Sequence, residues 1–183
     1  VNNYVCFGST TPCPADNLYR IIGVFGDKVK LIKVTSLGDM KWDTSGKNTW
    51  STSSLNTYLN NEFINTFDET IKGKIDMTTW KVGGINDISQ SAKTVYENEI
   101  NSSPSENKKI GLMYASDYGF AAEPSNAWTT SLYNYYDAAI KSANWMYLGA
   151  AEWTISRDAG NSFGVFSVDN PGNVNYGYAD RAY

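Results

Sequence analysis

The chain contains no histidine. Ser-His-Asp and Cys-His sites both use imidazole as the base, so neither can exist here. With only two cysteines, a zinc site would also lack its remaining ligands. Charge is scarce as well: charged residues make up 19% of the sequence, with a net charge of −4. No run of Lys or Arg exceeds the pair Lys108-Lys109. A nucleic-acid binder draws most of its affinity from neutralising phosphates on a basic face, and this composition does not fit that class. No apolar run reaches about 18 residues and no basic amphipathic helix is visible, so no segment reads as inserting into or coating a membrane. Gly-rich phosphate loops are missing too, since Gly83-Gly84 and Lys72-Gly73-Lys74 read as ordinary turns. No export leader is visible, and Val1-Asn2-Asn3-Tyr4 reads directly as folded protein, as expected after removal of an export or anchor segment.

What is abundant is neutral polarity and aromatic surface. Of the 183 residues, 42% are hydrophobic, and there are 13 Tyr, 7 Phe, 6 Trp and 19 Asn. A domain of roughly 180 residues buries about 70% of its unfolded surface, so residues 1–183 are expected to form one domain without a metal staple. Polarity carried by amides and hydroxyls, rather than charge, suits an extracellular module. Cys6 and Cys13 enclose six residues that include Gly8 and Pro12, which can close a small disulfide loop and would imply an oxidising compartment. Two free thiols, or half of a zinc site, are the alternatives.

Local patterns predict the elements. Leu18–Phe25 and Lys28–Val34 flank Gly26-Asp27 and read as a β-hairpin. Gly38–Asn48 reads as a loop with Trp42 and Trp50 at its margins. Leu55, Leu59 and Phe63 recur every four residues, predicting a helix started by Ser51, Ser53 or Ser54. Residues 75–82 read as a short strand, and 91–100 as a helix with Ala92, Val95, Tyr96 and Glu99 on one stripe. Residues 101–108 read as a solvated loop, 109–116 as a core strand, and 117–122 as a turn of helix. The last 40 residues read as short antiparallel strands at 145–148, 152–156, 163–168 and 174–178, with a turn at Asn170-Pro171-Gly172. The fold class is therefore α+β, with two main helices, short antiparallel sheets and long irregular loops.

Three features resemble a family of Firmicutes extracellular domains. These are the Leu18-Tyr19-Arg20-Ile21 hairpin, the run from Trp50 through Leu55, Leu59 and Asn60 to Phe63, and the ending. In that ending, Trp153 to Arg157 is followed by Gly160-Asn161, Val165, Val168, Gly172, Val174 and Asn175. The family is similar to the C-type-lectin-like superfamily, which includes the formylglycine-generating-enzyme type and retroelement-diversified variable proteins. The resemblance implies a C-type-lectin-like domain that binds through the irregular loops of its C-terminal third. It also implies a further C-terminal strand, which this sequence lacks at Arg181-Ala182-Tyr183. Either the sequence is truncated there, or another chain or a later segment supplies that strand; an unfilled edge would give an opportunity for self-association.

The ligand-facing candidates are accordingly Arg157, Asp158, Asn161, Asn170, Asn173, Asn175, Tyr176, Tyr178 and Arg181. Rigid aromatics with adaptable amides give contact area at low entropic cost. In the plainer reading, Trp145, Trp153, Phe163 and Phe166 are core and the asparagines only form turns. Glu152 beside Trp153, or Asp158 with Asp180, could supply a carboxylate pair for glycoside hydrolysis, though a carboxylate next to Trp is common in any protein. The calcium-lectin signature is met only partly, by Glu123-Pro124-Ser125, and Asp169 with Asn170 makes a thin oxygen cluster. Neither a catalytic residue, a metal nor a cofactor is expected. The expected function is surface recognition or adhesion, secreted or cell-surface anchored, with a host or microbial surface protein or glycan as partner. The alternative is a structural subunit or stalk of a pilin-like surface filament, assembled by strand complementation.

Overall fold

The computed structural model describes residues 2–183; Val1 lies outside the described residues. The fold is α+β: helices hold 29% of the chain and short antiparallel sheets 26%. The hairpin forms as expected, from β2 (Leu18–Phe25) and β3 (Lys28–Lys33). Its two-residue loop places Gly26 at φ +64°, the positive value that a type II′ turn requires at its first central residue. A strand that the pattern did not reveal, β1 (Tyr4–Cys6), adds to β2 and gives the sheet order β1-β2-β3. Cys6 and Cys13 are joined in a disulfide.

The expected helix after Trp50 is a chain of short helical turns. A 3-10 turn at Trp50–Thr52 leads to α1 (Ser54–Thr57), a wide π turn at Tyr58–Glu62 and a second 3-10 turn at Phe63–Thr66. Of the three candidate serines, Ser53 is the cap, accepting the Asn56 N–H. Next come α2 (Glu69–Lys72) and β4 (Thr78–Lys81), then α3 (Ala92–Ile100), capped by Ser91.

The segment expected to be a solvated loop contains β5 (Ser105–Lys108), which pairs with β4 and is bonded through Thr79 Oγ1 to Asn107 Oδ1 at 2.8 Å. Its polar side chains gave no alternation to detect. The expected core strand at 109–116 is not a strand. It is a connection into α4 (Ala115–Phe120) whose backbone is held by the Asn60 side chain at Ile110 and by a bond from Ile155 N to Met113 O at 2.8 Å. After α5 (Pro124–Thr129) and α6 (Ala138–Ala143) the chain enters a three-stranded antiparallel sheet. It is formed by β6 (Glu152–Arg157), β7 (Gly164–Val168) and β8 (Val174–Tyr178). Residues 145–148, expected as a strand, lie outside any sheet.

This last sheet is the wall between two apolar clusters. Phe166, Val168 and Val174 pack with α3 and α4 residues such as Val95 and Tyr118, while Trp153, Ile155 and Val165 pack with Trp42, Trp50 and Leu59. Alternation along a strand sends successive side chains to opposite faces, and both faces here are covered. Trp42 is completely buried and donates its indole N–H to Thr154 O at 3.1 Å. Phe163, expected in the core, is 45% exposed because it precedes β7 in a surface loop.

Candidate functional site

The nine C-terminal candidates do not form one surface. Arg157, Asp158 and Asn161 gather at one end of the β7–β8 hairpin, with Tyr176, Tyr178 and Arg181 beside them. Asn170 and Asn173 occupy the turn at the other end, one strand length of roughly 13–17 Å away. Several are occupied in holding the domain's own backbone and loops. The Arg157 guanidinium donates to Val82 O at 3.0 Å. Asp158 accepts from the Gly160 N–H at 2.7 Å and from the Asn161 side chain. Asn161 accepts from the N–H groups of Phe163 and Gly164.

Asn173 is a correction. It is buried, and its carbonyl takes the Asp169 N–H at 2.8 Å, so it closes the turn and faces no partner. Asn175 is tied to Asp169 Oδ2 at 2.9 Å. The residues left free to meet a ligand there are Asn170 and an aromatic patch. In that patch Tyr178 lies edge-on to Tyr176 and beneath the Arg181 guanidinium, 5.2 Å from the ring centre.

The residues that follow β8 are held as well. Residues 179–183 run beside residues 40–43, with Met40 N bonded to Tyr183 O at 2.8 Å, Tyr183 N to Met40 O at 3.1 Å and Asp43 N to Ala179 O at 2.9 Å. Asp43 anchors that strap. Burial opposes its ionisation, but hydrogen bonds from the Ser45 hydroxyl and the N–H groups of Lys47 and Ser54 outweigh it and hold its carboxyl below the usual range.

A larger concavity lies elsewhere. A groove of about 620 Å³ runs along β3, with β4 across from it. Tyr19, Phe25, Trp80 and Tyr114 supply aromatic walls. Lys30 projects into it with its ammonium 4.5 Å from the Tyr114 ring centre and 5.2 Å from that of Trp80, ion-paired to Asp117. Asp117 also accepts the Tyr114 N–H at 2.7 Å, and Tyr114 Oη accepts the Lys81 N–H at 2.7 Å. The Tyr19 hydroxyl is buried with no hydrogen-bond partner among the described residues, and burial with nearby Asp16 pushes it up to about 12.

Behind Lys30 and Asp117, Glu99 is 3% exposed and receives the hydroxyls of Ser116 from α4 and Ser156 from β6. Burial pushes its carboxyl up to about 7, against the opposing pull of those two hydrogen bonds. Glu152, proposed from sequence for acid-base work, is likewise pushed up to about 7 by burial, and one of its oxygens has no partner among the described residues. Asp158, the partner expected for Asp180, spends its carboxylate inside its own turn.

The groove residues escaped the sequence reading, although two signals pointed to them. Lys28 and Lys30 share a strand face with Ile32, which packs on the core, so the alternation set cations on an inward face. Glu99 sat on the same helical stripe as Ala92 and Val95, a carboxylate among core residues.

A family model described as a domain of unknown function, DUF6273, matches residues 26–181. The chain belongs to this family. The DUF6273 match begins in the hairpin turn, so it takes in β3, β4 and the whole C-terminal sheet, while Cys6, Cys13 and Tyr19 lie before it. Comparison with curated proteins and with solved structures returns no match. Among the described residues no helix is long and apolar enough to cross a membrane.

Proposed function

We propose that this DUF6273 domain is a non-catalytic recognition module of the extracellular face, of C-type-lectin-like architecture, which holds a protein or glycan ligand in the groove along β3. The observation that carries the reading is the groove itself, a large concavity with aromatic walls and a few convergent polar groups, the usual make-up of a binding site. The disulfide supports an oxidising location, on the secreted or displayed side of a cell. The non-catalytic reading draws support from Glu99, whose two oxygens are both taken by buried serine hydroxyls, and from Asp117, which is held by Lys30 and the Tyr114 N–H. Neither carboxylate is free to relay a proton to a bound substrate.

The test is a glycan array run beside a pulldown from host secretions, followed by titration of whatever is recovered. Trp80→Ala is expected to weaken binding at least tenfold while Tyr178→Ala leaves it unchanged, both proteins melting cooperatively. Loss with Tyr178→Ala alone would move the site to the C-terminal patch. A second reading, a filament subunit completed by a neighbour's strand, is favoured by the free outer edge of β3. Light scattering that finds only monomer at high concentration would rule it out.

A further inference from the structure

The outer edge of β3 has a defined geometry. Phe25 and Lys28 close the two-residue hairpin loop, so Val29, opposite Val24, falls in the next, non-bonded pair, with its N–H and C=O pointing away from β2. Beyond the bulge, Ile21 gives its N–H to Asn3 O on the β1 side at 2.8 Å, so the backbone of its partner Leu31 also points outward. None of these outward groups of Lys28–Lys33 finds a hydrogen-bond partner among the described residues. Across the groove stands β4, itself paired only with β5. Lys28 bridges the gap, its ammonium 2.7 Å from Met77 O, so an extended lysine side chain and one hydrogen bond span the distance between the two strands. Val24, its cross-strand partner Val29, and Met77 are all more than half exposed.

The charge of the groove is opposite to that of the chain. Five lysines line it, against a molecular charge of −4. Asp76 and Asp117 pair with Lys28 and Lys30, leaving Lys74, Lys81 and Lys109 without a carboxylate partner among the described residues, against two acids outside any ion pair, Asp27 and the buried, serine-bonded Glu99.

We infer that the occupant of the groove is an extended, acidic segment of a partner polypeptide, which adds to the edge of β3 as a further strand and sets its carboxylates against Lys74, Lys81 and Lys109. This rests on the recognition reading above and names the ligand class for the same site. Main-chain bonds to Val29 and Leu31 would supply affinity, and alternate side chains would supply selectivity, as in strand addition generally.

The experiment is selection of a displayed library of random peptides on the wild-type domain, with a glycan array probed in parallel. Enriched peptides are expected to alternate Asp or Glu with apolar residues. They should bind Val29→Pro at least tenfold more weakly, because proline removes an outward N–H at a position where an edge strand tolerates it. They should lose a similar factor with Lys74→Glu/Lys81→Glu, which leaves the β3 backbone intact and keeps the test decisive if Val29→Pro melts early. Peptides that are basic, or that bind both variants as well as wild type, would overturn the proposal, as would the absence of any enrichment. Glycan binding weakened by Trp80→Ala, with no peptide enriched, would overturn the strand assignment and leave the recognition reading standing.

Discussion

Glu99 is the residue on which electrostatics and packing meet. Its folded value of about 7 lies above the ordinary 4.5, so the folded state holds the proton more tightly than the unfolded chain does. The stability this confers is complete below pH 4.5 and is lost as pH rises through 7, a change of roughly 3 kcal/mol at about 1.4 kcal/mol per pH unit. Glu152, also raised to about 7, acts in the same direction, whereas the lowered carboxyl of Asp43 acts only in more acidic solution. Glu99→Gln keeps a partner for both serines without the charge. Its melting temperature is expected to exceed that of the wild type at pH 8 and to vary less between pH 5 and 8, and thermal melts across that range check it. A variant equally pH-dependent would mean that Glu99 is ionised throughout.

At the level of elements, periodicity revealed what buried one clean face and missed what did not. The hairpin, the Ser91-capped α3 and the three C-terminal strands were legible because apolar spacing or β-branched alternation marked them. Polar β5, with Ser, Glu, Asn and Lys in sequence, gave no such signal, and the apolar 109–116 segment read as a strand although a single backbone bond from β6, at Met113, and the Asn60 side chain, at Ile110, take the place of a ladder. The candidate site was less legible still. Composition located the turn-forming asparagines of the C-terminal loops, whereas Lys30, Glu99, Trp80 and Tyr114 meet only once strands far apart in sequence are folded together. The contact between α3 and α4 depends on a glycine: a methyl group at Gly119 would lie 2.4 Å from Ala92 Cβ and 2.5 Å from Leu132 Cδ2. Gly119→Ala is expected to destabilise the domain by about 1–3 kcal/mol in urea unfolding, since a packed interface must shift to admit it.

Over the whole molecule, two clusters share the β6-β7-β8 wall, and the N-terminal sheet stands outside it, with the groove along its free edge. The disulfide ties β1 to the loop preceding β2. Replacing both cysteines with serine is expected to cost about 2.5 kcal/mol, from the short loop that the bridge closes, and calorimetry of the reduced and oxidised proteins checks it. The surface that this arrangement leaves for a partner is the β3 groove, with the smaller Tyr178 patch as its rival. Amide chemical-shift mapping with a ligand recovered from the array, the secretions or the peptide selection decides between them. Shifts concentrated in Lys28–Leu31, Thr78–Lys81 and Tyr114, with Phe163, Tyr178 and Arg181 unmoved, are the expected result; shifts confined to those last three residues would contradict the account.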